Sequence, residues 1–351
     1  MARLAGFERI LGFDMGGTST DVSLADGAPV ETTEAEVDGF PVKIPMLDIH
    51  TVGAGGGSIA RVDAGGLLRV GPESAGANTG PASYGIGLEA TVTDAHVHLG
   101  HIQPDAFLGG KMELFPERAQ MALQAVARKV NLSTRQAAQG ILRVANANME
   151  RAIRAVSIER GHDPRRFALV AFGGGGGLHA CDLATALGIS TVIVPAFAGV
   201  LSALGMLAAD QVRDYSADVL GMTERQVETR FRALEQVAKK EMKGSTLERS
   251  ADLRYQGQSY ELNVAHGDDF HQAHQKVYGY HDKQRVVERV TIRVRARIKV
   301  KQLAGFPKGT NTRGQGPALL PEYGSTTLIP KGWKYHRDQH GNLIVTRLSR
   351  S

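Results

Sequence analysis

The stretch ILGFDMGGTSTDVSLADG, residues 10–27, decides how the rest of the chain is interpreted. An apolar run leads to Asp14, the glycine pair Gly16 and Gly17 follows, and an alternating run leads back as a second strand. Glycines let backbone N–H groups turn toward an anion and approach it closely. The stretch therefore predicts a phosphate-binding β-hairpin, with an ordinary tight turn as the alternative.

Hydroxyl and carboxylate side chains surround the predicted turn. Thr18, Ser19, Thr20 and Asp21 follow the glycine pair directly. Hydroxyls supply additional hydrogen-bond donors for a phosphate, whereas Asp14 at the end of the strand fits a carboxylate that holds Mg²⁺ or orients a water.

A second glycine-rich segment, FALVAFGGGGGLHACDLATALG (residues 167–188), predicts a strand that runs through a glycine loop into a helix. Such a loop lets a ligand reach the backbone at the positive end of a helix. The segment matches neither GxGxxG with a downstream acid nor GxxxxGK[ST], which argues against a dinucleotide site. His179 is either a contact residue or a polar group at the helix start, and we favour the latter.

A metal site is a weaker prediction. Asp48 and His50 lie on one face if their segment is extended, and Asp94 could join them around one ion. The neighbouring His96 and His98 are interpreted as a solvated or hydrogen-bonded strand face.

The remaining pattern predicts an α/β chain with a smaller C-terminal part. Residues 29–37 and 41–44 are predicted strands, 73–87 a functional loop, 116–130 and 133–160 helices, 188–209 a buried strand and an apolar helix, 223–242 a helix, 305–316 a linker, and 317–347 short strands around Trp333. Asn146 and Asn148 are predicted to be hydrogen-bonding groups of the core.

Composition narrows the class of protein. The 42 glycines in 351 residues exceed the usual share of roughly 7%, and they cluster in loops. The net charge is only +5, and basic residues are interleaved with acidic ones along the chain. No nucleic-acid partner is therefore expected. The single Cys181 fits a reducing compartment, and no secretory signal or membrane segment is expected, which predicts a cytoplasmic location.

Several sequence segments, which follow one another in the same order as in the family, resemble the hydantoinase A/5-oxoprolinase family. That family includes the ATP-dependent acetone and acetophenone carboxylases. The segments are GFDMGGTSTDVSL, DIHTVGAGGGSIARVDAGGLLRVGPESAGA, TVTDAH, NANMERAIRAVSIERGHDP, FGGGGGLHA, VIVPAFAGVLSALGMLAAD, LRYQGQSYEL and GPALLPEYGSTTLIPKGW. The resemblance implies a ribonuclease-H-like lobe of the actin, Hsp70 and sugar-kinase superfamily over residues 1–220. An α+β module over 221–304 and a β-rich segment over 305–351 would follow.

The resemblance also implies roles for individual residues. Asp14 and Asp21 would be catalytic, and Asp48, His50 and Asp94 would bind a metal. The nucleotide would be bound by two groups, Gly16, Gly17, Thr18, Ser19 and Thr20 in the phosphate loop, and Gly173, Gly174, Gly175, Gly176 and Gly177 in the adenosine loop.

The implied activity is ATP-dependent opening of a cyclic amide or imide through a phosphorylated intermediate, with ATP, Mg²⁺ and a second divalent metal (Zn, Mn or Fe) as cofactors. The implied partners are a hydantoinase B-like subunit, a separate N-terminal lobe and a small cyclic amide substrate. The alternatives are a subunit of an ATP-dependent ketone carboxylase and a catalytically silent nucleotide-binding lobe.

The chain also departs from the family pattern. Gly175 and Gly177 replace the usual residues of FGGAGPLHA, and Gly324 stands where an acid is frequent. Family members usually begin with another actin-like lobe, so we expect the chain alone to bind ATP weakly and to hydrolyse it slowly if at all.

Overall fold

The structure is a computed structural model that describes residues 1–32, 35–37, 40–42, 46–300 and 312–348. Its contacts divide the chain into two compact units. The first comprises Met1–Leu204 with Gly305–Ser351, and the second comprises Gly205–Ala304.

The described strands are most frequent before residue 75 and after residue 312, and the helices lie between these two parts of the chain. The strands are β1 (Arg9–Met15), β2 (Thr20–Asp26), β3 (Ala28–Pro29), β4 (Glu31–Thr32), β5 (Ala35–Val37), β6 (Phe40–Val42), β7 (Met46–Leu47), β8 (Ile49–Val52), β9 (Ser58–Val62), β10 (Leu68–Ser74), β11 (Ala168–Phe172), β12 (Thr191–Val194), β13 (Gln211–Asp218), β14 (Thr246–Tyr255), β15 (Leu262–Ala265), β16 (Val287–Ile298), β17 (Arg313–Gln315), β18 (Ala318–Glu322), β19 (Ser325–Ile329), β20 (Trp333–Arg337) and β21 (Leu343–Arg347).

The α-helices are α1 (Val92–His98), α2 (Pro116–Lys129), α3 (Thr134–Val156), α4 (Gly176–Leu187), α5 (Leu201–Ala208), α6 (Glu224–Glu241) and α7 (Phe270–Tyr278). Short 3₁₀ segments lie at Ala82–Tyr84, Pro104–Gly110, Ile158–Arg160, Pro164–Arg166 and Ala198–Val200.

A mixed sheet forms the centre of the first unit. Among the described residues its strand order is β17-β20-β21-β12-β11-β1-β2-β3, and β8 also pairs with β2. Strands β1, β11 and β12 are parallel, whereas β1 and β2 form an antiparallel hairpin. The predicted phosphate hairpin and the predicted strand before the second glycine loop therefore lie side by side.

Side-chain alternation along β1 gives the sheet two different faces. Leu11, Phe13 and Met15 are almost fully buried and pack in the main core, which also contains apolar residues of α3 and α4. Ile10 packs in a smaller cluster with residues of β11 and β12. Because successive side chains point to opposite faces, Met15 and Asp14 lie on opposite sides of the sheet.

Helix α3 follows the predicted signals closely. Ser133 and Gln136 form a capping box at its start, and its apolar face is buried. The chain then passes through a 3₁₀ turn to Gly161, which has a φ of 81° that glycine adopts without strain.

The second unit is an α+β structure. Strands β13, β16, β14 and β15 form an antiparallel sheet in that order. Val227 and Phe231 of α6 pack against its apolar face, where Ile292 and Val294 of β16 are fully buried. The alternating apolar and basic pattern of β16 buries its apolar side chains, and Arg293 pairs with the carboxylate of Asp252 at 2.7 Å.

This division differs from the sequence-based one in two places. A boundary after residue 220 would leave β13 with the first part, but β13 pairs with β16 of the second unit. The segment expected to stand apart at the C-terminus contributes β21 to the main sheet, where it pairs with β12. Trp333 is buried, as predicted. Parts of the predicted segments 29–37, 41–44 and 305–316 lie outside the described residues.

We predict that Val345→Ala lowers the free energy of unfolding of the first unit by about 2 kcal/mol, because Val345 is fully buried in the main core. Chemical denaturation monitored by Trp333 fluorescence measures this change. Arg347→Ala, on the exposed end of the same strand, is the control and should change it by less than about 0.5 kcal/mol. Equal losses in both variants would contradict burial of the C-terminal strand.

Candidate functional site

The turn between β1 and β2 is fixed by hydrogen bonds to its carbonyl groups. The backbone N–H of Gly175 donates to the Met15 carbonyl at 3.1 Å, that of Gly56 donates to the Gly16 carbonyl at 3.0 Å, and that of Gly57 donates to the Gly17 carbonyl at 2.6 Å. Three consecutive carbonyls of the turn are thus bound by two glycine loops.

The N–H groups of the same turn are left available. Gly16 donates to the Ser19 carbonyl, but within the described residues the N–H groups of Gly17, Thr18 and Ser19 donate to no protein group. Residues 16–18 are exposed. Adjacent free N–H donors at an exposed turn form an anion-binding arrangement.

Close backbone approach explains two of the surrounding glycines. A Cβ on Gly55 would lie 2.6 Å from the Gly17 carbonyl oxygen, and a Cβ on Gly173 would lie 2.4 Å from the Met15 carbonyl oxygen. By contrast, a Cβ on Gly17 would have no neighbour within 4 Å. The fold therefore requires glycine in the loops that support the turn, while the space over Gly17 is open.

The two predicted catalytic carboxylates occupy paired positions. Asp14 and Asp21 are directly opposite on β1 and β2, so their side chains share one face of the sheet. One oxygen of Asp14 accepts from the Ser202 hydroxyl at 2.6 Å, and one oxygen of Asp21 accepts from the Thr51 hydroxyl at 2.6 Å. Two like charges at this spacing repel each other, which favours a cation between them.

The predicted hydroxyl ligands differ from one another. Thr20 is fully buried and its hydroxyl donates to the Ala54 carbonyl at 2.6 Å, so it fastens the hairpin and has no hydrogen left for a phosphate. Thr18 is exposed and Ser19 is half-buried, and neither hydroxyl has a partner among the described residues.

The second glycine loop lies at the same edge of the sheet. It comprises Gly173, Gly174, Gly175, Gly176 and Gly177, and α4 begins within it at Gly176 rather than after it. No side chain caps this helix start, since the N-cap is Gly175. The loop packs tightly, because a Cβ on Gly177 would lie 2.7 Å from the Thr326 carbonyl oxygen.

A cavity of about 270 Å³ opens beside both glycine loops, on the Met15 face of β1. Most of its wall is apolar. The lining includes Met15, Gly16, Gly17, Gly56, Tyr84, Val92, Thr93, His96, Ile102, Gln103, Ala106, Phe107, Leu108, Met112, Gly174, Gly175, Leu178, His179, Pro321, Glu322, Gly324, Ser325 and Thr326. Gly324, where the family pattern has an acid, is thus part of this wall.

A chain of hydrogen-bonded side chains passes through the cavity wall. His179 lies 3.1 Å from His96 between their Nε2 atoms, and His96 lies 3.0 Å from His101 between their Nδ1 atoms. On the other side, Nδ1 of His179 lies 2.6 Å from Oδ1 of Asn146, whose amide nitrogen faces the carboxylate of Asp182 at 3.4 Å.

Asn146 fixes the direction of every proton in this chain. Because its amide nitrogen faces an acceptor, its oxygen must accept from Nδ1–H of His179. Nε2 of His179 is then the acceptor for Nε2–H of His96, and Nδ1 of His96 accepts from Nδ1–H of His101. Both ring nitrogens of His96 and of His179 are therefore occupied.

Burial keeps these imidazoles neutral. It lowers the pKa of His179 to about 3, and it holds the pKa of His96 well below its usual range, with the neighbouring imidazoles acting in the same direction. Burial and the charge of Arg135 also lower the pKa of His101. At neutral pH the cavity wall carries no imidazolium charge.

Asp94 has a structural role rather than the predicted metal-binding one. It is fully buried in the first turn of α1, where it forms a capping box with Thr91. Its two oxygens accept from the N–H groups of Ala82, Ser83 and Thr91 at 2.7–3.1 Å and from the Thr91 hydroxyl at 2.8 Å. Asp94 therefore ties the loop that carries Tyr84 to helix α1.

The predicted metal group is not assembled. Asp48 forms an ion pair with Arg160, and His50 is exposed on β8, opposite Val22. Over the described ranges, no three His, Cys, Asp or Glu side chains are grouped so that they could hold a metal ion. The sequence spacing was misleading because Asp94 lies on a helix and directs its carboxylate to backbone N–H groups.

Sequence reasoning also missed the two cavity histidines. The sequence predicts a strand face for His96, which instead lies on α1, and a polar position at the helix start for His179, which is buried in α4. The prediction that Asn146 and Asn148 form hydrogen bonds is confirmed, since Asn146 contacts His179 and Asn148 donates to the Val70 carbonyl at 3.1 Å, but both side chains are half-buried rather than in the core. The usable signal was that His179 falls in the apolar stretch that opens α4, where a buried imidazole needs a hydrogen-bond partner.

The fold and the site define a class: an α/β protein with two glycine loops at one edge of a mixed sheet. A sequence model of the Hydantoinase/oxoprolinase family matches residues 1–215, and the chain belongs to that family.

Characterised relatives are similar over much of the chain. The caprolactamase subunit alpha of Pseudomonas jessenii is 31% identical over 99% of this chain and 59% of its own length, and the crystal structure of that ATP-dependent caprolactamase superposes with a TM-score of 0.72 over 99% of this chain and 60% of its own. The 5-oxoprolinase of Saccharomyces cerevisiae is 35% identical over 84% of this chain and 25% of its own length.

An acetone carboxylase structure in the nucleotide-free state has a TM-score of 0.82, covering 99% of this chain and 59% of its own, at 23% identity, which shows a shared fold. The chain thus spans about 60% of the caprolactamase subunit and of the acetone carboxylase chain. Among the described residues, every helix falls short of the length or the apolar character that a bilayer crossing demands.

We predict that Asp94→Asn lowers the free energy of unfolding by about 2 kcal/mol, because an amide nitrogen replaces one oxygen that accepts hydrogen bonds from buried groups. Thermal unfolding followed by circular dichroism measures the loss. Asp105→Asn, at an exposed position, is the matched control. Stabilisation of the parent chain by Zn²⁺ or Mn²⁺ that Asp94→Asn abolishes would instead indicate a metal ligand.

We also predict a pH dependence of stability from His179. An unfolded histidine takes up its proton near pH 6.5, whereas folded His179 does so only at about pH 3. Its contribution to stability is therefore fully present above pH 6.5 and is lost as the pH falls toward 3. His179→Asn should reduce the slope of unfolding free energy between pH 4 and 6 by about 1.4 kcal/mol per pH unit.

Urea titrations at several pH values measure that slope. His336→Asn, at an exposed position on β20, serves as the control and should leave the slope close to that of the parent chain. An unchanged slope in His179→Asn would show that His179 is not held neutral in the folded chain.

Proposed function

We propose that this chain is part of an ATP-dependent enzyme that opens a small cyclic amide or imide by phosphorylating its amide oxygen. The observation that carries the proposal is the β1–β2 turn, whose carbonyls are bound by glycine loops while the N–H groups of Gly17, Thr18 and Ser19 donate to no group in the part of the chain that the structure describes. These groups suit the phosphate oxygens of ATP. The family membership and the caprolactamase and 5-oxoprolinase relatives supply the reaction class.

The sheet topology supports assignment to the ribonuclease-H-like fold of the actin superfamily. Strands β8, β2 and β1 are antiparallel neighbours, and β11 and β12 continue the sheet parallel to β1. In this assignment residues 173–177 form the adenosine loop, and a further lobe covers the nucleotide from the opposite side. A second subunit is part of the proposal because the caprolactamase relative is named as a subunit alpha.

The carboxylate pair fits Mg²⁺, which would be held by Asp14 and Asp21 and would neutralise phosphate charge. Asp14 and Asp21 flank the turn that carries the N–H groups of Gly17, Thr18 and Ser19. We assign no second metal, since Asp48 and Asp94 are engaged elsewhere.

The proposed chemistry has three balanced steps. The amide oxygen attacks the γ-phosphorus of ATP, ADP leaves and the amide nitrogen loses its proton to solvent. A first water then attacks the activated carbon, and the C–N bond breaks to leave the amine and an acyl phosphate. A second water hydrolyses the acyl phosphate to the carboxylate and inorganic phosphate. Phosphorylation is needed because a ring amide is a poor electrophile and its oxygen is a poor leaving group. The turn contributes by holding and orienting the phosphate, and the cavity by holding the ring beside it.

We predict that Asp14→Asn reduces ring-dependent ATP hydrolysis at least about 100-fold, because the amide cannot hold Mg²⁺ as a carboxylate does. ADP release is measured with the complex that the chain forms in its native host, in the presence of ε-caprolactam, hydantoin, 5-oxoproline, or acetone with bicarbonate. Asp26→Asn, at the other end of the same hairpin, is the matched control and should retain activity.

The outcomes separate the candidate functions. ATP hydrolysis that rises with a cyclic amide supports the proposal, and a rise only with acetone and bicarbonate would indicate a ketone carboxylase subunit. Nucleotide binding without turnover under any condition would indicate a silent lobe and would contradict the proposal.

A further inference from the structure

We propose that the cavity beside the glycine loops binds an uncharged ring and discriminates against rings that carry a carboxylate. This inference rests on the proposed function and narrows its substrate class to neutral lactams and cyclic imides. It is argued from the size of the cavity, the chemistry of its walls and the charges that face it.

The volume suits a small ring rather than a nucleotide. The cavity measures about 270 Å³, which lies below the range of roughly 300–1,000 Å³ typical of sites for drug-sized ligands. Gly16 and Gly17 form part of its wall, so a bound ring would lie next to the turn whose N–H groups are free.

The walls are mainly apolar and aromatic. Tyr84 and Phe107 contact each other with ring centroids 5.7 Å apart, and Ile102 and Leu178 complete the same apolar cluster. Burial raises the pKa of the Tyr84 hydroxyl, which therefore stays protonated at neutral pH. Such walls favour the CH₂ groups of a ring and disfavour a charged substituent.

The imidazoles of the wall cannot neutralise a carboxylate. Both ring nitrogens of His96 and of His179 are occupied within the hydrogen-bonded chain that ends at Asn146 and Asp182. Both imidazoles are also neutral at physiological pH. They present aromatic surface to the cavity but no cation.

The cavity lining contains an acidic side chain but no basic one. Among the described lining residues, Glu322 is acidic, and there is neither Lys nor Arg. The guanidinium of Arg337 is held by Glu322, and the ammonium of Lys111 lies 5.5 Å from the centroid of the Tyr323 ring. A carboxylate in the cavity would thus lose its hydration without gaining a cation as partner.

Neutral polar groups remain for the amide itself. Gln103 lines the cavity, its side chain is without a partner among the described residues, and the position is exposed. Ser325 also lines the cavity. An amide N–H and C=O need one acceptor and one donor, which such groups supply without charge.

A pair of probes with the same ring tests the inference directly. 5-Oxoproline carries a carboxylate at neutral pH, and its primary amide, 5-oxoprolinamide, does not. Calorimetric titration of the 351-residue chain at pH 7.5 should give a Kd for the primary amide at least about tenfold lower than for 5-oxoproline. ε-Caprolactam serves as a second neutral probe and should behave like the primary amide.

A charge introduced at the cavity should change the preference. Gln103→Lys places an ammonium on the lining, so the Kd of 5-oxoproline should fall at least about fivefold while that of the primary amide stays unchanged. Gln120→Lys makes the same change at an exposed position of α2 outside the cavity and should leave both values unaltered. Both positions are exposed, and thermal unfolding confirms that each variant folds.

Each outcome decides the inference. Equal or tighter binding of 5-oxoproline overturns it, and so does a Gln103→Lys variant that behaves like Gln120→Lys. If those results accompany ring-dependent ATP hydrolysis, the proposed function stands and only the substrate class is wrong. If neither ring binds and no ring increases ATP hydrolysis, both the inference and the proposed function fail.

Discussion

The hydrogen bonds from Gly175, Gly56 and Gly57 to the carbonyls of the β1–β2 turn are the interactions on which the site depends. A turn with exposed backbone groups normally satisfies them with water and can fluctuate. Here three consecutive carbonyls are held by protein donors, which fixes the peptide groups that also carry the N–H groups of Gly17 and Thr18. The glycines at positions 55 and 173 are required because any Cβ there would collide with the carbonyls being held.

Much of this edge could be predicted from the sequence, because both glycine loops follow strands whose apolar runs are clear. The strand before each loop and the helix after the second are found where the pattern places them, although α4 begins two residues earlier than expected. What the sequence could not show was the loop over residues 53–57, which holds the turn from the other side. Its glycines are compatible with any loop, and only the distances to Gly16 and Gly17 reveal close packing.

The polar residues that the sequence pattern does not place correctly share one physical property. Asp94, His96 and His179 are polar residues whose partners are distant in sequence or belong to the backbone. Asp94 accepts from N–H groups of residues 82 and 83, and His96 meets His179 across 83 positions of the chain. A carboxylate and a histidine near each other in sequence predict a metal site only if both side chains remain free. Here the carboxylate of Asp94 caps helix α1, and the imidazole of His96 belongs to the hydrogen-bonded histidine chain, so neither side chain is free.

The proposed phosphate site has few positive charges of its own. The groups that the turn and the lining of the cavity offer to a triphosphate are neutral N–H and hydroxyl donors, and no lysine or arginine stands among those lining residues. Partial charges of backbone dipoles and of one helix start cannot balance several formal negative charges. A divalent cation at Asp14 and Asp21 is therefore an integral part of the proposed phosphate site. In that proposal the cation offsets the mutual repulsion of these two acidic side chains, which occupy paired positions on β1 and β2.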